Sequence, residues 1–145
     1  MNNYFHPEKS STANEGISLR LLVDDLLTRA EPTIFKNRIS VVNEVPRDVF
    51  VLADEQKVIP LIHELLETVF INGLNTRIHV SAERFRDIII LRIQDRNNNN
   101  GYALSFTVMG FEPQAAEAGG SIQIEGKQQK VATISFSFPN HAYTA

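Results

Sequence analysis

Side chains capable of chemistry first gather in the short run His63-Glu64-Leu65-Leu66-Glu67. A zinc-binding helix of the HExxH type needs a second histidine one turn after the first, so that both imidazoles project from one face. The residue at that position is glutamate, and the other histidines are scattered along the chain. The run therefore does not predict a zinc site. It predicts a helix on which His63 is partly exposed, with Glu64 and Thr68 one turn apart on the same face.

A second polar cluster begins at Asp95, at the end of the apolar stretch 87–95. The residues that follow are Arg96, four consecutive asparagines and Gly101. Asparagine tolerates left-handed backbone better than other residues with a side chain, so this segment predicts a tight, irregular loop. The loop would place amide side chains directly beside the Asp95 carboxylate.

The elements that must position these residues follow from the spacing of apolar side chains. Helices are predicted over 19–30, 54–72 and 102–118. Strands are predicted over 38–45, 49–53, 77–83, 87–95, 121–125 and 131–138. The helical pattern of 102–118 is weakened by Gly110 and Pro113.

Punctuating residues indicate where the helices begin and end. Ser18 and Asp54 are predicted N-caps, because their side-chain oxygens can accept an orphan helix N–H. Pro32 is expected to end the first helix, and Gly73 is expected to be a left-handed C-cap of the second. Pro60 lacks a backbone donor, so a kink or a separate first turn is expected there.

The pattern of the strands predicts the fold class. Segment 77–83 alternates between an apolar face and a polar one, whereas 87–95 is more continuously apolar and predicts a central strand buried on both faces. The order helix, strand, strand, helix, strand, strand, helix, strand, strand predicts an α+β fold. We expect a two-layer sandwich of a mixed, mainly antiparallel sheet with about three helices on one face.

Composition excludes several function classes. The 145 residues hold 14 Lys+Arg and 17 Asp+Glu, a net charge of −3, which argues against a broad nucleic-acid footprint. Without cysteine there is no disulfide, thiol nucleophile or Cys-ligated metal. No apolar run reaches a membrane-spanning length, and the polar start does not resemble a signal peptide, so we expect a cytoplasmic protein. One domain over 17–140 is predicted, with a flexible arm at 1–16 and a tail at 141–145.

Four features in order resemble the ATP-binding domain of sensor histidine kinases, a Bergerat-type fold shared with type II topoisomerases and chaperone ATPases. The opening helix and strand lead to a strand that ends in Ala53-Asp54. Segment 58–70 resembles the family's Asn-box helix, and 90–95 resembles the strand that delivers its adenine-reading aspartate. The final hairpin, from Gly119-Gly120 to Phe138-Pro139, resembles the family's closing hairpin.

The resemblance implies a set of nucleotide-site residues. Asp95 matches the adenine-reading aspartate, whose carboxylate can accept the exocyclic amine. Thr68 stands at the family's magnesium-binding asparagine, and Glu64 matches the water-activating acid of the topoisomerase and chaperone branch. If the site were functional, ATP and Mg²⁺ would be the cofactors. The full set implied in this way is Glu64, Thr68, Asp95, Asn97, Asn99, Gly101 and Thr133.

Departures from the family predict that this site is degenerate. Threonine offers one hydroxyl and no amide, and asparagines replace the glycines that normally follow the aspartate. Between Asp95 and Tyr102 there is no room for the family's long lid or for its second Gly-rich box, whose N–H groups cradle phosphates. His63-Glu64-Leu65 also resembles the phospho-acceptor box, but the basic residue and Thr-Pro of that box are missing, as is its long helical hairpin.

Three functions are compatible with this pattern. The first is a degenerate ATPase-fold domain that acts by protein contacts in two-component-type signalling. The second is a functional ATP-binding kinase domain, and the third is a partner-binding protein like the small anti-sigma kinases. The expected partner is a kinase dimerisation domain, a response regulator or a sigma factor. Tyr102, Phe106 and Phe111 are candidate interface residues, with core packing as the alternative for the two phenylalanines.

Overall fold

The structure of the chain is a computed structural model that describes residues 16–141. Almost all of the predicted arm and tail therefore lies outside the described residues. The helices are α1 (Leu19–Arg29), α2 (Glu31–Lys36), α3 (Glu55–Asn72), α4 (Gly101–Met109) and α5 (Glu112–Glu117). The strands are β1 (Ile17–Ser18), β2 (Ile39–Asn43), β3 (Phe50–Val51), β4 (Thr76–Phe85), β5 (Ile88–Asp95), β6 (Ser121–Glu125) and β7 (Ala132–Pro139).

Five strands form one mixed sheet in the order β2-β4-β5-β7-β6. Strand β2 runs parallel to β4, and every other neighbouring pair is antiparallel. The α+β class and the mainly antiparallel mixed sheet are confirmed. The structure adds a small two-stranded sheet of β1 and β3. Strand β3 lies within the predicted strand 49–53, whereas β1, only two residues long, was not predicted.

The hydrophobic core lies between one face of the sheet and the helices. Helix α3 provides a continuous buried stripe, and alternate side chains of β4, β5 and β7 pack on the same core. The other face is polar and half-exposed. Strand β5 is central, as predicted, but its burial alternates along the strand, so the expectation that both of its faces are buried is wrong.

Local cap chemistry explains where the two long helices begin. The Ser18 hydroxyl accepts a hydrogen bond from the Leu21 N–H, and the Asp54 carboxylate accepts one from the Gln56 N–H, so both N-caps are confirmed. Gly73 has φ −79°, which is not left-handed, so that prediction is wrong. Helix α3 continues through Pro60 without a separate first turn.

Proline lies in the first turn of two short helices that the sequence did not predict as separate elements. Helix α2 was not predicted, and α5 was merged with α4 in the predicted helix 102–118. Pro32 follows the end of α1 as expected, but it lies in the first turn of α2, where its missing donor costs nothing. Pro113 has the same role in α5, and Gly110 is the C-cap of α4. The structure therefore has five helices in residues 16–141 instead of about three. None of them is long and apolar enough to cross a membrane.

Candidate functional site

Asp95 is the last residue of β5 and is only 6% exposed. Its Oδ1 accepts a hydrogen bond from the Thr76 hydroxyl at 2.5 Å and one from the Asn97 N–H at 3.1 Å. The same N–H lies 2.9 Å from Thr76 Oγ1. We call these three residues the Asp95 centre. Because a buried carboxylate is costly without hydrogen bonds, this pairing is what allows Asp95 to lie inside the protein.

The antiparallel pairing of β4 and β5 creates this centre. Thr76 begins β4 and Asp95 ends β5, so the two side chains meet at one end of the sheet. The Arg96 N–H donates to the Arg77 carbonyl at 2.9 Å, which extends the pairing by one residue. The Asn97 side chain then donates to the Asn75 carbonyl at 2.9 Å, so the chain turns tightly over the end of β4.

The segment 96–100, here called the Asn-rich loop, is bound to the loop 126–131 between β6 and β7. The Asn98 N–H donates to the Lys130 carbonyl at 2.8 Å. Its side-chain amide donates to the carbonyls of Lys127 at 3.0 Å and Gln129 at 2.9 Å. Gly101 is packed so closely that a Cβ atom there would lie 1.7 Å from the Lys127 carbonyl oxygen. Glycine is therefore required at this position for the approach of the two backbones.

The predicted residues of α3 differ in their surroundings. Glu64 is exposed, whereas Thr68, one turn later, is buried at 7% exposure. The Thr68 carbonyl accepts a hydrogen bond from Asn72 Nδ2 at 2.9 Å, and Asn72 Oδ1 accepts one from Asn100 Nδ2 at 3.4 Å. The end of α3 is thus joined to the Asn-rich loop by side-chain amides.

Besides the exposed Glu64, two more of the predicted residues do not join this arrangement. Thr133 pairs with Gln94 in the register of β5 and β7, while Asp95 pairs with Ala132. Because side chains alternate along a strand, Thr133 lies on the opposite face of the sheet from Asp95. Asn99 is an exposed loop residue.

The residues present do not fit a magnesium site. Magnesium requires oxygen ligands in a near-octahedral array, usually one or two carboxylates, waters and phosphates of the substrate. Thr68 is at the position implied for the metal ligand, but its side chain is buried rather than open to a nucleotide. Within residues 16–141, no group of three or more His, Asp or Glu side chains could hold a metal ion.

The three candidate interface residues differ in exposure: two are exposed on α4 and one packs against the core. Tyr102 and Phe106 lie one turn apart on α4 and are 64% and 85% exposed. Tyr102 also contacts the loop 126–131, because its hydroxyl accepts a hydrogen bond from Gln128 and its ring lies 5.6 Å from Lys127 Nζ. Phe111 is partly buried and packs against the core, which is the alternative stated for it above.

Sequence reasoning missed Thr76, Asn98 and Asn72. A hydroxyl residue at the start of a strand that pairs with the Asp95 strand was a usable signal for Thr76. The role of Asn98 had no local signal, because its acceptors lie about thirty residues away in the loop 126–131. The role of Asn72 had none either, because its contact with Asn100 depends on how α3 meets the Asn-rich loop.

No family model and no curated protein sequence matches the chain. Solved structures do match its fold. The catalytic domain of histidine kinase ThkA, in a nucleotide-free form, superposes with a TM-score of 0.68 at 18% identity, over 88% of this chain and 97% of that one. Histidine kinase AdeS of Acinetobacter baumannii gives a TM-score of 0.71 at 14% identity, over 86% of this chain and 66% of that one.

A third match is full-length ShkA in complex with AMPPNP, with a TM-score of 0.70 at 13% identity. It covers 90% of this chain and 32% of the ShkA chain. The chain therefore has the fold of a histidine kinase-like ATPase domain, as the sequence resemblance implied. It spans about a third of the ShkA chain and two thirds of the AdeS chain.

Proposed function

From this fold, we propose that the chain is a histidine kinase-like ATPase domain of two-component-type signalling that acts by protein contacts rather than by ordinary ATP hydrolysis. One observation carries the proposal. The backbone N–H groups next to Asp95, which a phosphate chain would need, are already used within the protein.

Phosphate binding in loops depends on free backbone N–H groups that converge on the anion. In the Asn-rich loop, the N–H of Arg96 donates to the Arg77 carbonyl and that of Asn98 to the Lys130 carbonyl. The N–H of Asn97 donates to Asp95 Oδ1 and to Thr76 Oγ1. The N–H of Asn100 donates to Asn98 Oδ1 at 3.3 Å. Four of the five backbone N–H groups of this loop thus donate to acceptors within the protein, so they are not free to bind a phosphate group.

The same contacts leave little space for a mobile lid. Only residues 96–100 separate β5 from α4, and Asn98 fastens them to three carbonyls of the loop 126–131. Gly101 is in direct contact with that loop. Opening the region to a nucleotide would break these hydrogen bonds together, at a cost that ligand binding would have to offset.

The proposed contact surface is the exposed face of α4, which carries Tyr102 and Phe106. Exposed aromatic side chains of this size are typical of protein interfaces. The proposed partners are a kinase dimerisation domain, a response regulator or a sigma factor, which would act with this chain in the cytoplasm. A kinase with the same fold, ThkA, has been solved in complex with the response regulator protein TrrA.

Nucleotide binding is tested by thermal unfolding with and without millimolar Mg-ATP or Mg-ADP. We expect no shift in Tm that depends on Mg²⁺ or on Asp95. A ligand at 100 times its Kd would stabilise the fold by about 2.7 kcal/mol, which such a measurement detects easily. A stabilisation that the variant Asp95→Asn abolishes would overturn the proposal in favour of a functional ATP-binding domain, for which the buried carboxylate at the end of β5 is the favouring observation.

The partner is tested separately. Purified chain would be titrated with a kinase dimerisation domain, a receiver domain and a sigma factor from the same source genome, and binding measured by calorimetry. We expect saturable binding to one of the three. Binding to none of them would contradict a role in protein contacts even if no nucleotide binds.

A further inference from the structure

An open cleft of about 520 Å³ lies at the end of the sheet where β2 and β4 begin. Four cationic side chains line it: Arg38, Arg77, Arg96 and Lys130. The remaining lining residues are neutral serine, threonine and asparagine. We call this site the basic cleft. Its volume is in the range of small-ligand pockets, which are about 300–1,000 Å³.

Backbone hydrogen bonds bring the four segments together. Ser40 and Arg77 are register partners in the parallel pair β2 and β4, so their side chains share the polar face of the sheet. The Arg77 carbonyl accepts the Arg96 N–H at 2.9 Å, and the Asn37 carbonyl accepts the Asn75 N–H at 2.8 Å. The Lys130 carbonyl accepts the Asn98 N–H at 2.8 Å. The cations are therefore attached to a connected backbone frame rather than to independent loops.

Two residues of this frame have unusual backbone angles. Arg38 has φ 56° and Asn75 has φ 51°, in the left-handed region. Asparagine adopts this conformation at modest cost. Arginine adopts it less easily, and glycine at position 38 would be less strained. Backbone strain of this kind tends to occur at binding sites, where the surrounding structure holds it in place. Arg38 therefore holds a backbone conformation that arginine disfavours, next to the cleft that it lines.

No acidic side chain of residues 16–141 lines the cleft. The Arg96 guanidinium donates to Gln94 Oε1 at 3.2 and 3.1 Å, and this neutral partner leaves its charge uncompensated. The ion pairs described in the structure are Arg29–Asp25, His79–Glu44 and Arg92–Glu83, none of which involves a cleft residue. A chain with a net charge of −3 thus concentrates four cations around one concavity.

We propose that the basic cleft binds an oligophosphate, meaning a compact anion with two or more linked phosphoryl groups. Arginine binds phosphate oxygens through two parallel hydrogen bonds, and three of the four cations are arginines. Cations that converge on one short cleft match a ligand of dense charge. An acidic peptide would present single carboxylates spaced along a strand, and a nucleic acid would need a cationic track longer than this cleft.

The phosphoryl groups could be free or could belong to a nucleotide, and the choice of probes distinguishes these sources. Inorganic tripolyphosphate has no base, adenosine has no phosphate, and ATP without magnesium has both. The basic cleft shares Thr76 and Asn97 with the Asp95 centre, but its four cations do not include Glu64, Thr68 or Asp95, so anion binding does not require a functional ATP site. A failure of one proposal would therefore leave the other standing.

The test is calorimetric titration of the chain with tripolyphosphate at about 50 mM and about 200 mM salt. We expect saturable binding that weakens with salt, and about ten-fold or greater weakening in each of the variants Arg77→Gln and Arg96→Gln. The matched control is Arg84→Gln, an exposed arginine of the same strand, seven residues or about 23 Å from Arg77. It should change the affinity less than about two-fold.

Arg38→Gly separates binding from folding. Glycine adopts φ 56° without strain, so this variant should unfold at the same temperature or higher, while its affinity for tripolyphosphate falls about ten-fold. Adenosine should not bind, and ATP should bind no more tightly than tripolyphosphate.

Three results would overturn the proposal. The first is no detectable binding at about 1 mM tripolyphosphate, which would mean a Kd well above about 1 mM. The second is equal weakening by Arg84→Gln, which would indicate non-specific charge attraction. The third is tighter binding of hexaglutamate or a single-stranded oligonucleotide, which would assign the cleft to an acidic segment or to nucleic acid instead.

Discussion

The carboxylate of Asp95 illustrates how one residue type can serve two different purposes. The family resemblance assigns it to reading adenine, which requires an acceptor directed at the ligand. In this chain its Oδ1 accepts the Thr76 hydroxyl and the Asn97 N–H. These contacts hold the first turn of the Asn-rich loop, so the residue stabilises its own surroundings.

We expect Asp95 and Thr76 to be energetically coupled. Replacing Asp95 by Ala leaves the buried Thr76 hydroxyl without its acceptor and should lower the free energy of unfolding by about 1–3 kcal/mol. Thr76→Val removes the same hydrogen bond from the other side. Urea unfolding of both single variants and the double variant should give a coupling energy of about 0.5–3 kcal/mol.

The control for that cycle is Asp48→Ala, because Asp48 is exposed on a turn. It should change the free energy of unfolding by less than about 0.5 kcal/mol. Strictly additive effects of Asp95→Ala and Thr76→Val would show that the two side chains do not depend on one another.

Among the elements, the two loops at the end of the sheet act as one unit. The loop 126–131 provides carbonyl acceptors, and the Asn-rich loop provides amide donors. Gly101 allows their backbones to touch, at the point where α4 begins. This contact, rather than any single hydrogen bond, fixes how α4 leaves the sheet.

Two glycines at opposite ends of α4 give a matched test of this contact. A Cβ at Gly101 would lie 1.7 Å from a backbone oxygen of the other loop, so Gly101→Ala must displace one of the loops. It should lower the free energy of unfolding by about 1–3 kcal/mol or more, the range for overpacking.

The control is Gly110→Ala, because Gly110 has helical backbone angles, φ −65° and ψ −17°. A Cβ there would lie 3.1 Å from the Thr107 carbonyl oxygen, a tight contact that a small shift relieves. The restriction of the unfolded chain by alanine offsets this contact, so the free energy of unfolding should change by less than about 1 kcal/mol. Thermal and urea unfolding of both variants would check this. Equal effects at the two positions would contradict the role given to the loop contact.

The elements also show what a sequence can predict. Helix starts at Ser18 and Asp54 were predictable because a cap is a local feature, and both were confirmed. Gly73 was not, because its conformation depends on how the chain leaves α3 rather than on glycine's own freedom. Strand β5 was placed correctly in the centre, but the burial of its outer face depends on what covers the sheet.

The candidate site was predictable to a smaller extent. Asp95 and the short connection to α4 could be located by resemblance, since both are positions along the chain. The side chains that close the region could not, because Asn98 finds its acceptors about thirty residues away in the loop 126–131. The basic cleft was missed for the same reason, since its cations come from four segments that meet only in the folded sheet.

For the whole molecule, the two faces of the sandwich are chemically different. The helical side carries the exposed aromatic residues of α4, and the basic cleft lies at the end of the sheet where β2 and β4 begin. The small β1–β3 sheet is attached to the end of β7 by Asn140, whose side chain hydrogen-bonds Leu52 N–H at 2.7 Å and the Phe50 carbonyl at 2.9 Å. Contacts with a protein and with an anion can thus use separate surfaces.

The aromatic surface can be tested with two phenylalanines of nearly equal exposure. Phe106 on α4 is 85% exposed and Phe35 on α2 is 87% exposed, so a charged side chain at either position remains in water. Phe106→Glu and Phe35→Glu should each change the free energy of unfolding by less than about 0.5 kcal/mol. Only Phe106 belongs to the proposed contact surface. Its replacement should weaken partner binding by about ten-fold or more, as expected for a central aromatic residue of an interface.

The measurement is calorimetric binding of each variant to the partner that the wild-type chain binds, with circular dichroism to confirm the fold. Phe35→Glu should retain wild-type affinity, because Phe35 lies on α2, outside the proposed contact surface, and a charge added there does not change the buried contacts of that surface. Loss of binding in Phe35→Glu but not in Phe106→Glu would move the contact surface from α4 to α2. Equal loss in both variants would mean that the partner responds to net charge rather than to a defined aromatic surface.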